Sequence, residues 1–253
     1  TAKRLTAAGV KNFGVVSNPE FLVEGKAIEN SLRPDRVVVG AETEGDFAVM
    51  RNVYRRFYDS ANVKYLEVNP YEAAAGKLLA NFTLFSRIVT TYAVLGRTAE
   101  KFPNLSYEAL RSVISSDPRI GSWGLYDSLF SGGSCFIKDA ASLAFQFEGA
   151  GHDPELVRKI LAENNHQLEL FFDRAVTEAR FDWKGKNLAV LGAAFKQDTN
   201  DIRNSGSILF IEKALAAGAE SVTIFDPAAS GMCEWYFNPA KKPEYARVKI
   251  VNS

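Results

Sequence analysis

The sequence predicts an α/β fold in three parts. Residues 1–68 read as the end of one parallel-sheet domain, 69–180 as an all-helical middle and 181–253 as the start of a second parallel-sheet domain. Three observations carry this. Short apolar runs alternate with helical patterns at both ends of the chain, as they do in βαβ units. Between them, the stretch from Glu72 to about Lys101 contains no proline and is rich in Ala and Leu. As one helix it would be about 45 Å long, more than most globular helices. The composition, 47% hydrophobic and 24% charged over 253 residues, is that of an ordinary globular protein.

In chain order, Lys3-Arg4-Leu5-Thr6 reads as a helix tail ended by Gly9. Phe13 to Val16 is an apolar run, read as a strand. Asn18-Pro19 then supplies an N-cap followed by proline at the first helical position, which predicts a helix there. Arg36 to Gly40 (RVVVG) is a buried strand, about Gly45 to Ser60 a helix, and Val63 to Val68 another strand. Asn69-Pro70 repeats the cap-and-proline signal ahead of the long helix. Ser106 caps a helix ending near Ser116, and a loop runs from Asp117 to Ser134. Further helices are expected over Asp139 to Gly149 and from Asp153-Pro154 to about Arg180. Asn187–Leu191, Ser207–Ala217 and Ser221–Phe225 read as one βαβ unit. Pro239 and Pro243 break the pattern after Pro227, and no element is assigned there.

Thirty cationic side chains balance thirty anionic ones, which leaves no net field to draw nucleic acid or an anionic membrane. Cys135 and Cys233 form no disulfide framework and no zinc pattern, and His152 and His166 show no ligand spacing, so no metal is expected. A reducing cytoplasm suits such a chain. No uninterrupted apolar run of about 18 residues is seen, so no membrane span is expected. The chain opens on Thr1 in mid-helix and closes inside a strand pattern, as a piece of a longer protein would.

The most informative segment is Phe130 to Asp139 (FSGGSCFIKD). Two glycines let backbone approach a bound group closely. The thiol of Cys135 follows, then Lys138, a cation of the kind that raises a thiolate fraction. Asp139 lies four residues on and shares the Cys135 face if a helix begins here. The alternative is a small buried cysteine in a turn. Glu20 and Glu24, four apart after Asn18-Pro19, are either a carboxylate pair for proton transfer or acids complementing a helix dipole. Lys77 and Asn81, four apart on the long helix, are either hydrogen-bond donors to an oxyanion or a solvated surface pair. Gly192 at a strand end, with Lys196 and Arg203 beyond it, is either a phosphate site or a turn with two surface cations. Trp123, Trp183 and Trp235 read as packing residues and Cys233 as a bystander.

Together these segments resemble the nucleotide-sugar 6-dehydrogenases, the UDP-glucose/GDP-mannose dehydrogenase family. The resemblance rests on Asn18–Gly25 (NPEFLVEG), Pro34–Gly40 (PDRVVVG), Lys77–Asn81 (KLLAN), Gly132–Asp139 (GGSCFIKD) and Ala194–Arg203 (AFKQDTNDIR), in the family's order. It implies the end of a Rossmann-like NAD domain, a helical dimerisation region and the start of a second Rossmann-like domain that binds UDP-sugar. It implies two hydride transfers to NAD, with the sugar carbon held on Cys135 as thiohemiacetal and then thioester. Lys77 and Asn81 would stabilise the oxyanion, and Asp139 and Glu20 would position or activate water. The segment Glu20, Phe21, Leu22, Val23 and Glu24 would line the sugar, with Glu24 also near cofactor. Arg119 would reach a substrate across a homodimer. Tyr126, Ser131 and Gly132 would lie along the nucleotide, and Phe195 and Lys196 would meet substrate. Lys138 and Cys135 would border NAD, and Arg203 would meet its pyrophosphate. UDP-glucose is the implied substrate, toward which Phe136 leans, with GDP-mannose or a UDP-N-acetylhexosamine as alternatives. A truncated, non-catalytic dimerising subunit is a further alternative. The family's glycine fingerprint precedes everything seen here, so this length alone is expected to show little activity.

Overall fold

A computed structural model of the protein describes residues 1–58 and 62–251. The chain forms two compact units, residues 1–80 and 81–253.

In the first unit, β1 (Arg36–Gly40) and β2 (Lys64–Val68) pair in parallel, from Arg36 opposite Lys64 to Gly40 opposite Val68. Val37, Val38 and Val39 are buried, as a parallel strand covered on both faces requires. Short helices α1 (Ala2–Ala7) and α2 (Ala27–Leu32) precede β1, and α3 (Glu44–Tyr54) joins it to β2. Gly9 ends α1 at φ +76°, as expected. Thr43 caps α3, its hydroxyl accepting the Asp46 N–H at 3.2 Å and donating to the Asp46 carboxylate at 2.7 Å. The helix stops at Tyr54, short of the expected end, and Ser60 lies outside the described residues. Gly40 closes β1 because a Cβ there would lie 2.6 Å from the Ala73 Cβ and 2.8 Å from the Pro70 Cα.

Two expectations fail in this unit. Phe13–Val16 is not a strand; only Ser17 makes an antiparallel bridge, to Gly40. Asn18-Pro19 starts no helix. The Asn18 amide is spent elsewhere: Nδ2 donates to the Val38 carbonyl at 2.7 Å, and Oδ1 accepts the Tyr54 hydroxyl. The side chain therefore ties an extended segment to β1 instead of capping.

The long helix is real. α4 (Pro70–Thr90) continues through a π-helical segment, Thr91–Gly96, into α5 (Arg97–Lys101), 32 residues in all. Asn69 and Glu72 cap it reciprocally, with all three N–H···O distances at 2.9 Å. By length and composition this stretch is apolar enough to cross a membrane, which corrects the expectation of no such run. Polar residues such as Asn81 and Arg87 interrupt it and hid it from a search for unbroken apolar sequence. Its Phe85, Val89 and Tyr92 are fully buried within the second unit, as in a core helix.

The second unit continues with α6 (Tyr107–Ser115), a loop, α7 (Phe136–Gly149) and α8 (Glu155–Thr177). Ser106 stands at the N-cap of α6 without a side-chain cap bond. Then β3 (Asn187–Leu191), β4 (Ser221–Phe225) and β5 (Val248–Val251) form a parallel sheet in that order, with α9 (Gly206–Ala216) crossing from β3 to β4. The unassigned tail folds: α10 (Ser230–Tyr236) and a 3₁₀ turn at Pro243–Arg247 lead into β5. Val222, Ile224, Ile208, Ile211 and Leu215 form the sheet's core. Trp183 packs as expected, but Trp123 and Trp235 are exposed.

Candidate active site

The loop before α7 is shaped by close packing. A Cβ on Gly132 would meet the Asn204 carbonyl oxygen at 2.4 Å, and one on Gly133 would meet the Phe195 ring at 2.9 Å. Gly133 also sits at φ +87°, where side chains are rarely tolerated. Its N–H donates to the Arg203 carbonyl at 3.1 Å, and the Asn204 amide donates to its carbonyl at 3.2 Å. Phe195 therefore packs on the two glycines. The chain emerges with Cys135 at the N-cap of α7, its side chain exposed. Cys233, by contrast, is buried in the sheet's core, where burial first and the nearby acids second push its thiol to about 11.

One turn into α7, Asp139 is buried. Its Oδ2 accepts the Asn81 amide at 2.6 Å, and Lys138 lies 3.0 Å from its Oδ1. Phe85 and Phe136 pack beside this link, centroids 6.2 Å apart. The hydrogen bond to Asp139 holds the Lys138 ammonium above the ordinary lysine value. Lys138 thus pairs first with Asp139, while a weaker charge interaction with Cys135 also raises it, so it remains a cation near the thiol. Asn81 commits one amide hydrogen to Asp139 and retains a second for another acceptor.

In the first unit, Lys77 is half-buried and 3.7 Å from the Glu20 carboxylate, with its ammonium 5.0 Å from the centre of the Phe21 ring. Arg36 covers the same ring at 4.0 Å. Lys77 is therefore paired and partly covered rather than freely solvated. Glu20 and Glu24 do not share a helix face, because residues 20–26 are extended and turn. Instead, the Glu20 carboxylate accepts the Leu22 N–H at 2.6 Å, and Glu24 lies in the turn at Gly25, φ +86°. Leu22 and Val23 are exposed, and the Val23 N–H is held by the Asn30 amide oxygen at 2.8 Å.

Arg119 projects from the loop, its side chain 87% exposed and its guanidinium 2.6 Å from Asp117. Tyr126 is exposed, edge-on to Trp123. Lys196 lies 5.6 Å from the Phe195 ring centre, and Asp201 binds Arg203 through Nε and Nη2. At the Gly192 turn the backbone donors of the phosphate-site reading are engaged within the chain, which leaves that reading to the side chains of Lys196 and Arg203. The N–H groups of Ala193 and Ala194 already donate to the Asp226 carboxylate, at 2.8 and 3.0 Å.

Sequence reasoning passed over Asp226, Asn164 and Tyr92. Asn164 had a signal: it interrupts the buried stripe Val157, Ile160 and Leu168 at helical spacing.

Three models of one family match the chain in succession. Residues 1–58 match its NAD-binding domain, 71–166 its central domain and 189–248 its UDP-binding domain. The chain belongs to the UDP-glucose/GDP-mannose dehydrogenase family. A UDP-glucose 6-dehydrogenase of Haloferax volcanii, AglM, is 37% identical over 232 residues, 90% of this chain and 53% of that relative. One from Pseudomonas aeruginosa is 35% identical over 85% of this chain and 47% of its own length. A solved UDP-glucose dehydrogenase from Pyrobaculum islandicum superposes with a TM-score of 0.87 at 28% identity, covering 100% of this chain and 55% of that one. The chain thus spans about half the length of the family members it matches.

Proposed function

We propose that the protein takes part in NAD-dependent oxidation of the primary alcohol of a nucleotide sugar, UDP-glucose, to the carboxylate. The observation that carries this reading is the Asn81–Asp139 hydrogen bond of 2.6 Å, one helical turn behind the exposed Cys135. The thiol is exposed, and one turn along α7 a carboxylate and an amide hold each other in fixed positions. The relatives' names, UDP-glucose 6-dehydrogenase, supply the substrate.

Cys135 adds to the aldehyde carbon, giving a thiohemiacetal, and later leaves from the thioester when water attacks; a thiolate suits both roles. Asn81 offers its second N–H to the oxygen that gains charge, and Lys77, one turn earlier on α4, has the same role. Asp139 orients water for hydrolysis, and Glu20 partners the Lys77 ammonium. The cofactor residues suit a dinucleotide: residues 1–58 match the family's NAD-binding domain, and Arg203 is an exposed cation suited to pyrophosphate oxygens. NAD, when bound, supplies hydride acceptance. Glu24 and Lys138 are assigned to the cofactor side, and Phe21, Leu22, Val23, Tyr126, Ser131, Gly132, Phe195 and Lys196 to the nucleotide sugar. The exposed Arg119 suits a contact across a homodimer, in the cytoplasm.

NADH formation with UDP-glucose, GDP-mannose and UDP-N-acetylhexosamines tests the reading. Two NADH per UDP-glucose are expected of the full-length parent and little or none of this length alone, with Cys135→Ala lowering the parent's rate by about 10³-fold or more. Turnover that survives Cys135→Ala would rule out the thiol mechanism, and preference for another sugar would reassign the substrate.

A further inference from the structure

The loop ahead of Cys135 is held from a side that the proposed chemistry does not use. Asn164, in the middle of α8, is 1% exposed. Its Oδ1 accepts the Ser131 N–H at 2.8 Å, and its Nδ2 donates to the Ser131 carbonyl at 3.1 Å. The Tyr92 hydroxyl donates to the same Oδ1, which takes up both lone pairs of that oxygen. Only one orientation of the amide satisfies this arrangement, because a flip would set N–H against N–H and carbonyl against carbonyl. Burial pushes the Tyr92 phenol well above its ordinary value, so it stays a donor. Tyr92 is delivered by the π-helical segment, a rare geometry that recurs at functional sites.

An apolar side chain between Ile160 and Leu168 would fill the slot without the cost of burying an amide. The contribution of Asn164 therefore lies in what it pairs with. The loop is pinned at Ser131 by Asn164, at Gly133 by Arg203 and Asn204, and at the Cys135 carbonyl by the Asp139 N–H at 2.9 Å.

We propose that Asn164, oriented by Tyr92, is a positioning residue that sets the backbone at Ser131 and through it the placement of the Cys135 sulfur. Its functional meaning rests on the reading of Cys135 as nucleophile, but its test needs no substrate. Hydrogen exchange of the 130–136 amides and the alkylation rate of Cys135 by iodoacetamide are measured in the chain and in Asn164→Asp, Asn164→Leu and Tyr92→Phe. Both Asn164 variants are expected to speed exchange in this loop about tenfold or more and to change Cys135 alkylation about threefold or more. The α8 amides near Val157 and Leu168 should keep their protection. Tyr92→Phe, which keeps the ring, should move both readouts in the same direction by less, and it decides the matter if the Asn164 variants unfold. Loop exchange and alkylation within about twofold of the unaltered chain, in folded variants, overturn the proposal. An inert Cys135 in turnover assays would defeat the functional reading while leaving the exchange result standing.

Discussion

At the end of β4 the Asp226 carboxylate accepts four backbone N–H groups, Ala193 and Ala194 through Oδ2 and Ala228 and Ala229 through Oδ1. Burial opposes the charge, but the four donors outweigh it and hold the carboxyl below its usual value near 3.8. A depressed folded-state pKa means that the stabilisation is complete above the ordinary aspartate value and is lost as pH falls through the lower folded one. Asp226→Asn, with one acceptor oxygen in place of two, should cost about 2–4 kcal/mol at neutral pH. Denaturant unfolding from neutral pH to about pH 3 checks the sign: both chains should lose stability at the acid end, where Glu163 and Glu212 also protonate, but Asp226→Asn should lose less than the unaltered chain. This residue also explains why the Gly192 turn misled. A strand-end glycine ahead of backbone donors does attract an anion, but here the anion belongs to the chain and lies 33 residues away in sequence. The site was legible where its residues are local. The i, i+4 spacing of Cys135 and Asp139 is helix geometry, readable from the five letters CFIKD, whereas the Asn81–Asp139 link spans 58 residues and follows from packing.

Two Asn-Pro pairs make the same point for elements. Asn69-Pro70 begins α4 and Asn18-Pro19 begins nothing. The difference stands three residues on: Glu72 reaches back to the Asn69 N–H, while Phe21 in the matching place has no group to return the bond. Proline at the first position is permissive, and the reciprocal cap is what commits the chain. Asn69→Ala should weaken the start of α4 by about 1 kcal/mol, seen as a lower midpoint in thermal unfolding. Asn18→Ala should leave helical circular dichroism unchanged and loosen the 13–20 segment, read by faster amide exchange; a loss of helical signal there would contradict the cap argument. The π-helical segment within the long helix had no sequence signal, since Thr91–Gly96 carries neither proline nor an unusual pattern of polarity.

On the scale of the second unit, α8 and α9 are joined by aromatic packing around Trp183. Phe172 stacks on it at 4.4 Å, Phe181 meets it edge-on at 4.7 Å and Phe210 of α9 at 5.4 Å. Trp183→Ala should therefore cost about 3–5 kcal/mol in urea unfolding, and a loss below about 1 kcal/mol would show that the stack is dispensable. Beyond this stack, the sheet gains β5 from a tail in which prolines masked any pattern. Val222 and Ile224 in β4 are buried because strands flank it on both sides.

Read alone, the residues established the alternating α/β order, the long helix, both βαβ strand pairs and the Cys135–Asp139 spacing. Each depends on periodicity or capping within a few positions, where covalent geometry limits the choices. Folding settled the partners of Asp226, Asn18 and Asn164, the place of β5 and the pairing of Asn81 with Asp139. In each case a polar group or strand edge could be satisfied in several ways, and the choice went to a distant segment that burial brought within hydrogen-bonding reach.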